Sequence, residues 1–392
     1  MIADETQVPP YELPNPLVFE RGAAVRNAGD WQLRRLELID LFAQHVYGIT
    51  PEIEIDRTEA LIERDDVVLE GKGRLDQTRL TLAFDDASID IDLLGYFPAN
   101  RPGPFPVVII PNFRGNHTVS ADTVIRVSER ARRDLPELPS ERGVMAHRFP
   151  IEQIVARGFQ VVTYYYGDVL PDIADLGDGE NLLFPHGEEG RAGAEWGAIG
   201  TWAWGASRVL DHLLKDSRVD AGRVFIAGHS RLGKMALWAA AQDQRFAGAF
   251  ANNSGCTGAA LSRRRFGETV SAINEQFPHW FCRNYHAFAD REHLLPVDQH
   301  ELIATIAPRP VYVASAAEDL WADPRGEYLG ALHAEPVYNL LGCKGLTINE
   351  WPPQSTSSGK VGYHLRAGGH DLLAEDWIKF LDFAADATKV TR

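Results

Sequence analysis

The chain lacks several features that would place it among membrane, disulfide-rich or zinc-binding proteins. No apolar run reaches about 18 residues, so no transmembrane helix is expected. The first residues, MIADETQVPP, have neither the basic start nor the apolar core of a signal peptide. The three cysteines, Cys256, Cys282 and Cys343, include no C-x-x-C pair, so neither a disulfide framework nor a metal site is predicted, and at most one bridge could form.

Basic residues are also scarce relative to acidic ones. The chain has 39 Lys and Arg against 55 Asp and Glu, which gives a net charge of -16 and an isoelectric point near 5.3. Nucleic-acid binding needs a basic face that displaces counterions from phosphates, so no nucleic-acid partner is expected. An acidic surface of this kind favours solubility instead.

The rest of the composition is that of an ordinary globular protein. With 392 residues, 45% of them hydrophobic and 24% charged, the chain can bury a large core without disulfides or metal. No internal repeat or low-complexity linker divides it. We therefore expect an extended, proline-rich N-terminal arm over residues 1–29 and a single domain over residues 30–392.

Hydrophobic patterning predicts an α/β fold. Residues 30–47 predict an amphipathic helix, because apolar side chains recur there at helical spacing at Leu33, Leu36, Leu38, Ile39, Phe42 and Val46. Alternating stretches at 79–84 and 88–94 predict antiparallel strands. Runs apolar on both faces predict the central parallel strands of a doubly wound sheet at 104–112, 159–166, 223–228, 246–253 and 310–316. The Gly- and Asp-rich stretch from Asp168 to Gly190 is expected to be a long surface loop near the site.

The segment RVFIAGHSRLGKMALWAAA, residues 223–241, predicts a nucleophile elbow. A β-branched strand ends at Gly228, Ser230 follows in a tight turn, and a helix-forming run begins at once. The usual G-x-S-x-G becomes G-H-S-R-L-G, with Leu232 where a small residue is typical and Gly233 one place later. The alternative is a plain strand-to-helix turn with a serine cap, but a histidine downstream in the right order favours catalysis.

A base and an acid for such a serine follow in chain order. His370 lies in a Gly-rich loop before a predicted C-terminal helix, and we favour it over His364, the other histidine after the last predicted strand. The loop AAEDLWADP, residues 316–324, then offers Glu318, Asp319 and Asp323 as the acid that holds the imidazole. Each of the three carboxylates alone could also be a solvated loop residue.

These residues resemble a known family. G-H-S-R-L-G-K at 228–234 resembles the G-C-S-R-x-G-K signature of the glucuronoyl esterases, carbohydrate esterase family 15, with His229 in place of the cysteine. NNSGCTGAAL at 252–261 is similar to that family's S-G-x-G-G segment, and EDLWADP and AGGHD resemble its acid and histidine loops. The resemblance runs from about Asp30 to the C-terminus and implies an α/β-hydrolase fold, a mostly parallel sheet between two helical layers.

The resemblance also implies roles for particular residues. Arg231 would supply its backbone N–H and guanidinium to the oxyanion hole, where a fixed cation stabilises developing negative charge. The sugar contacts would come from four further side chains, which are Lys234, Glu268, Gln276 and Trp321.

One position departs from the fungal pattern. Fungal members place the triad acid immediately before the Ser-Gly pair, where this chain has Asn253, and an amide cannot supply that charge. Many bacterial members use a carboxylate in the later loop, and Asp319, two residues before Trp321, fits that pattern best. The chain therefore resembles the bacterial type.

The leading hypothesis is hydrolysis of esters between 4-O-methyl-glucuronate on xylan and an aromatic alcohol of lignin, by acyl-enzyme chemistry without metal or cofactor. The alternatives are another carbohydrate esterase, such as an acetylxylan esterase, and an inactive sugar-binding module on the same scaffold. We expect a carbohydrate partner, no membrane partner and a monomer. The resemblance implies a secreted or periplasmic location, although no signal peptide is visible.

Overall fold

The computed structural model describes residues 1–84, 87–135, 141–174, 193–347, 350–353 and 359–388. Its strands are β1 (Asp56–Val68), β2 (Gly73–Phe84), β3 (Ala87–Pro98), β4 (Phe105–Ile109), β5 (Gln160–Thr163), β6 (Val219–His229), β7 (Gly248–Asn252), β8 (Val311–Ala316) and β9 (Val361–Arg366). Its helices are α1 (Ala28–Phe42), α2 (Glu129–Asp134), α3 (Ile151–Ala156), α4 (Ala198–Leu213), α5 (Arg231–Gln242), α6 (Val270–Gln276), α7 (Gln299–Ile306), α8 (Pro324–His333), α9 (Glu335–Leu340) and α10 (Ala374–Ala387).

The described strands form one sheet in the order β1-β2-β3-β5-β4-β6-β7-β8-β9. The first three are antiparallel neighbours, β3 is antiparallel to β5, and every pairing from β5 to β9 is parallel. The predicted antiparallel pair and all five predicted parallel strands are confirmed. The carboxyl ends of β6, β7 and β8 therefore meet at one edge of the sheet, where ligands bind in open α/β folds.

The core lies on both faces of this sheet. On β4, Val107 and Ile109 belong to one buried cluster, which includes residues of α4 and α5. Val108 between them belongs to a second cluster, which includes residues of α3 and α10. Because successive side chains of a strand point to opposite faces, this division shows helices on both sides of the sheet. The predicted three-layer arrangement is confirmed.

Helix α1 covers most of the predicted range 30–47 and is followed by a π-helix over Ala43–Tyr47, but its buried face differs from the expected one. Leu33 and Leu36 are 63% and 60% exposed, whereas Arg34 and Arg35 are 3% and 4% exposed. Nε of Arg35 donates to the carbonyl oxygen of Thr305 near the end of α7. Nη2 of the same guanidinium donates to a backbone carbonyl oxygen near the end of α5. The last carbonyls of a helix lack partners within the helix, so a buried guanidinium can satisfy them. Apolar spacing alone did not reveal this use of arginine.

Strand β9 is absent from the predicted set of strands. It pairs in parallel with β8 along its whole length, so the expectation that the sheet ended at 310–316 is wrong. The segment VGYHLR contains a glycine, a histidine and an arginine, which are not typical of a buried strand, so it was not predicted as one. His364 therefore lies inside a strand, where it is 3% exposed.

Residues near the N-terminus contact the segment before helix α6 and the start of helix α8. Ile2 forms a bridge with Phe266, and Glu5 pairs with Arg264 and Arg325. No disulfide joins the three cysteines. Of the predicted loop from Asp168 to Gly190, residues 175–190 lie outside the described residues. Within the part of the chain that is described, no helix has the length and apolarity needed to cross a membrane.

Candidate active site

Ser230 occupies the turn between a strand and a helix. Strand β6 ends at His229 and helix α5 begins at Arg231, while Ser230 between them has a φ of 58° and a ψ of -129°. A non-glycine residue seldom adopts a positive φ, and this combination is typical of a nucleophile elbow. The Ser230 amide donates to the carbonyl oxygen of Asn252 at 2.9 Å, which ties the turn to the end of β7.

Two glycines allow the elbow to close. A Cβ on Gly228 would lie 1.9 Å from the carbonyl oxygen of Leu232, and one on Gly233 would lie 2.9 Å from Cβ of Ser254. The Leu232 side chain is fully buried in the core. The departure from G-x-S-x-G thus has a physical reason. The position where the helix approaches Ser254 too closely for a side chain is Gly233, whereas Leu232 packs in the core.

His370 and Asp319 form a hydrogen-bonded pair at the same edge of the sheet. Nδ1 of His370 lies 2.6 Å from Oδ2 of Asp319, which is 6% exposed and also accepts from Nδ2 of Asn253 at 2.7 Å. Burial favours the neutral acid, but the hydrogen bonds from His370 and Asn253 outweigh it and hold the pKa of Asp319 below its usual value. An ionised Asp319 requires a proton on Nδ1, which leaves Nε2 of His370 as the basic nitrogen.

The other two candidate acids lie elsewhere. Glu318 is exposed to solvent. Asp323 accepts from Nε of Arg264 at 2.8 Å and from the amide of Gly326 at 2.9 Å, where it caps helix α8. Of the three carboxylates that the sequence left open, only Asp319 contacts His370 in the structure.

The imidazole of His370 packs beside the elbow. Its ring centroid is 4.6 Å from that of His229, the residue immediately before Ser230. No hydrogen bond between the Ser230 hydroxyl and His370 occurs among the described residues. Catalytic hydrogen bonds are often long in an enzyme without substrate and shorten when substrate binds. The arrangement therefore places His370, held by Asp319, beside the turn that carries Ser230.

Arg231 points its guanidinium at a buried carboxylate, Asp172. That carboxylate also accepts from Nε1 of Trp280 at 2.7 Å and from the hydroxyl of Tyr166 at 3.0 Å, and it lies 2.8 Å from Nε2 of His279. Burial disfavours the charged form, but the contact with His279 and the charge of Arg231 lower the pKa of Asp172 to about 2. Asp172 therefore stays ionised and holds the guanidinium beside the elbow.

An aromatic pair completes the surroundings of Arg231. The rings of Phe277 and Trp280 stack with centroids 3.7 Å apart, and Cζ of Arg231 lies 4.6 Å from the Trp280 centroid. A cation over an aromatic face is stabilised by the ring quadrupole. Gln276, which ends helix α6 just before this pair, is exposed.

Lys234 contacts Glu268, and Glu268 in turn contacts Trp321. Nζ of Lys234 donates to the carbonyl oxygens of Ser254 at 2.7 Å and Cys256 at 2.5 Å, and it lies 3.5 Å from Oε2 of Glu268. The ammonium thus faces three protein acceptors, and its contact with sugar hydroxyls stays a prediction. The Glu268 amide donates to the carbonyl oxygen of Trp321 at 2.9 Å, and Trp321 is 38% exposed.

Comparison with known proteins identifies the family. Residues 151–342 match the family described as "Glucuronyl esterase, fungi". Carbohydrate esterase MZ0003, from an unknown prokaryotic organism, is 43% identical over 97% of this chain and 90% of that protein. A promiscuous CE15 esterase from a marine bacterial metagenome is 42% identical with a TM-score of 0.90, covering 98% of this chain and 99% of that one. The glucuronoyl esterase from Solibacter usitatus is 40% identical with a TM-score of 0.90, covering 98% of this chain and 100% of that one.

The chain belongs to the glucuronoyl esterase family. It is a carboxylic ester hydrolase with the α/β-hydrolase fold, which confirms the resemblance seen in the sequence. Similarity to prokaryotic members agrees with the bacterial type that the sequence suggested.

Two residues of this glucuronoyl esterase site were not predicted from its sequence. Asp172 binds Arg231 and His279 binds Asp172, but the two residues lie 59 positions before Arg231 and 48 after it. No local pattern links such distant positions. The FPHW segment at 277–280 was the available signal, because it places two aromatic residues and a histidine directly after the predicted sugar contact Gln276.

Glu327 on helix α8 is a second buried carboxylate near the site. It accepts from the Ser315 hydroxyl at 2.6 Å, the Ser254 hydroxyl at 2.9 Å and the Gly255 amide at 3.0 Å. Burial outweighs these donors and raises the pKa of Glu327 to about 7. The end of β8, helix α8 and the loop after β7 are therefore joined at this carboxyl group.

The raised pKa of Glu327 predicts that it makes the stability of this glucuronoyl esterase depend on pH. From the ordinary value of 4.5 up to about 7, the folded chain holds a proton that the unfolded chain has lost. The free energy of unfolding should therefore fall as pH rises through this window, by at most a few kcal/mol. Glu327→Gln cannot ionise, so the melting temperature of wild type relative to this variant should drop between about pH 5 and pH 7.5. A constant difference would contradict the prediction.

The described residues contain no group of three or more His, Cys, Asp or Glu side chains that could hold a metal ion.

Proposed function

We propose that this protein hydrolyses esters of 4-O-methyl-glucuronate, as found between glucuronoxylan and lignin, through a Ser-His-Asp acyl-enzyme mechanism. The observation that carries the proposal is the contact of His370 with Asp319 at 2.6 Å, beside the elbow that presents Ser230. Similarity over nearly the whole chain to the glucuronoyl esterase of Solibacter usitatus supports the substrate class.

In the proposed reaction Ser230 attacks the ester carbonyl of the uronate. Nε2 of His370 takes the hydroxyl proton and later returns it to the leaving alcohol, while Asp319 holds Nδ1 and stabilises the imidazolium. The acyl-enzyme then carries the uronate on Ser230, and water releases it by the same route. The sugar must therefore lie at the site, with the alcohol directed toward solvent.

Arg231 is the proposed source of oxyanion stabilisation. Its backbone N–H opens helix α5, whose free amides favour negative charge. Its guanidinium is fixed by Asp172 and by the Trp280 ring, so it need not reorganise as charge develops. The structure thus supports a preorganised cation beside the reacting carbonyl.

Glu268, Gln276 and Trp321 are the proposed contacts of the sugar, with Lys234 beside Glu268. Trp321 offers an exposed indole face to a pyranose ring, and Gln276 is free to reach hydroxyl groups from the end of α6. The buried ammonium of Lys234 would orient the Glu268 carboxylate toward the ring hydroxyls. A substrate without those hydroxyls leaves such polar groups unpaired, which is the basis of discrimination.

Glu268→Ala is expected to lower kcat/KM on benzyl glucuronate by about one to two orders of magnitude, because the substrate loses one charged hydrogen bond. Hydrolysis of 4-nitrophenyl acetate should barely change, since acetate has no ring hydroxyls. Both substrates are measured on wild type and on the variant. Glu292→Ala serves as a matched control, because Glu292, like Glu268, is a buried carboxylate paired with a cationic side chain, in its case that of Arg265.

The same measurements separate the alternative functions. Equal losses on both substrates would mean that Glu268 supports the fold or the triad. A wild-type preference for acetate would favour an acetylxylan esterase. The absence of any product burst with an activated ester would favour an inactive sugar-binding module.

A polymeric carbohydrate substrate also implies a location outside the cytoplasm. We propose that the protein acts as a secreted or periplasmic monomer, and cell fractionation together with size-exclusion chromatography tests both points.

A further inference from the structure

One buried arginine holds the loop that carries His370. Arg366 ends strand β9, four residues before His370, and its side chain is 2% exposed. Its Nη1 donates to the carbonyl oxygen of Ala367 at 2.9 Å. Its Nη2 donates to those of Gly369 at 3.0 Å and Asp371 at 2.6 Å. The guanidinium therefore binds the carbonyl group on each side of His370.

Asp376 fixes the guanidinium in turn. Nε of Arg366 donates to Oδ2 of Asp376 at 3.0 Å, and this carboxylate is fully buried in the first turn of α10. Oδ2 also accepts from the amide of Leu373 at 2.8 Å, and Oδ1 lies 2.8 Å from Nε2 of His364. Strand β9, helix α10 and the His370 loop thus meet at one buried ion pair.

The loop needs such support because its own backbone is permissive. Gly368 has a φ of 86°, and a Cβ on Gly369 would meet nothing within 4 Å. Glycine retains more conformational freedom than any other residue, so apart from the bond from the Glu318 amide to the carbonyl oxygen of Gly368 at 3.0 Å, these positions do little to orient His370. On the imidazole itself, Asp319 constrains only Nδ1.

We propose that Arg366, braced by Asp376, is a positioning residue for His370, an inference that rests on the proposed role of His370 as the base. Arg366 holds the backbone on both sides of His370 so that Nε2 faces the Ser230 hydroxyl. A displacement of about 1 Å in such a constellation can lower the rate about 100-fold. A lysine would keep the charge but lacks the planar fork that binds several carbonyls at once.

Arg366→Lys tests this when it is compared with Arg309→Lys. Arg309 also donates to three carbonyl oxygens, those of Ala240, Asp243 and Phe246, but it precedes β8 at the opposite end of the strand from Asp319. Melting temperature, kcat and KM on benzyl glucuronate are measured for both. Arg366→Lys should lower kcat about 10- to 100-fold with KM changed less than about threefold, whereas Arg309→Lys should lose stability and keep kcat.

A double variant shows whether Arg366 acts through His370. Added to His370→Ala, Arg366→Lys should lower the residual rate no further, because residues that act as a unit are not additive. A further loss there, or a kcat of Arg366→Lys equal to that of Arg309→Lys, would overturn the proposal. If Arg366→Lys fails to fold, Asp376→Asn keeps the side-chain shape and should lower kcat in the same way, and an unchanged kcat would again count against it. His370→Ala as active as wild type would instead overturn the proposed mechanism and the positioning role together.

Discussion

Replacement of Ser230 by alanine is expected to abolish ester hydrolysis and leave the fold intact. Ser230 is the only hydroxyl at the elbow between β6 and α5, so no neighbour can take its place. Loss of one member of such a triad removes most of the catalytic gain and leaves only binding and oxyanion effects, a fall of roughly four to six orders of magnitude in kcat. His370→Ala should be nearly as severe, and the double variant should be no worse than either.

The measurement is turnover of benzyl glucuronate by purified variants, with circular dichroism and thermal melting to show that each one folds. Ser207→Ala is a suitable control, because Ser207 is buried on α4 and lies near Asp243 at the far end of α5. That helix has 12 residues, so the control lies about 18 Å along it from the elbow. More than a few per cent of wild-type activity in Ser230→Ala would show that the nucleophile is elsewhere.

The central part of the fold was predictable because burial there dictates composition. Strands covered by helices on both faces must be almost wholly apolar, and the runs that became β4 to β8 were. Strand β9 is also buried, but two of its buried side chains are polar. His364 and Arg366 are buried there only because Asp376 and Tyr312 pair with them, and a partner ten or more residues away leaves no local pattern.

The site was predictable where its chemistry is local. The elbow could be recognised because a strained strand-turn-helix needs glycines close to the serine in sequence. The contact of Asp172 with Arg231 could not be recognised from the sequence, because it joins segments 59 residues apart and depends on the tertiary fold. For Lys234 the sequence showed a residue type without its environment, and burial among carbonyl oxygens became visible only in the structure.

Among the three carboxylates after β8, Asp319 is expected to be the one that catalysis needs. Asp319→Asn should lower kcat by roughly three to four orders of magnitude, because an amide cannot stabilise the imidazolium and favours the wrong tautomer of His370. Glu318→Gln should be close to wild type, since Glu318 is exposed. Asp323→Asn should lower the melting temperature, because Asp323 caps α8 and pairs with Arg264, yet keep most of the turnover below the melting transition.

Asn253 offers a rescue experiment that tests the geometry directly. Its amide donates to the same oxygen of Asp319 that contacts Nδ1 of His370. A carboxylate at position 253 would therefore lie close enough to interact with that nitrogen. Asn253→Glu in the Asp319→Asn background should therefore restore part of the lost kcat, because a charge again faces the imidazole. The same change in wild type should not raise kcat, since two adjacent carboxylates would share one partner and one of them would tend to protonate. The assignment of Asp319 would be contradicted if Asp323→Asn gave the largest loss of kcat. It would also be contradicted if Asn253→Glu restored no kcat to a folded Asp319→Asn variant.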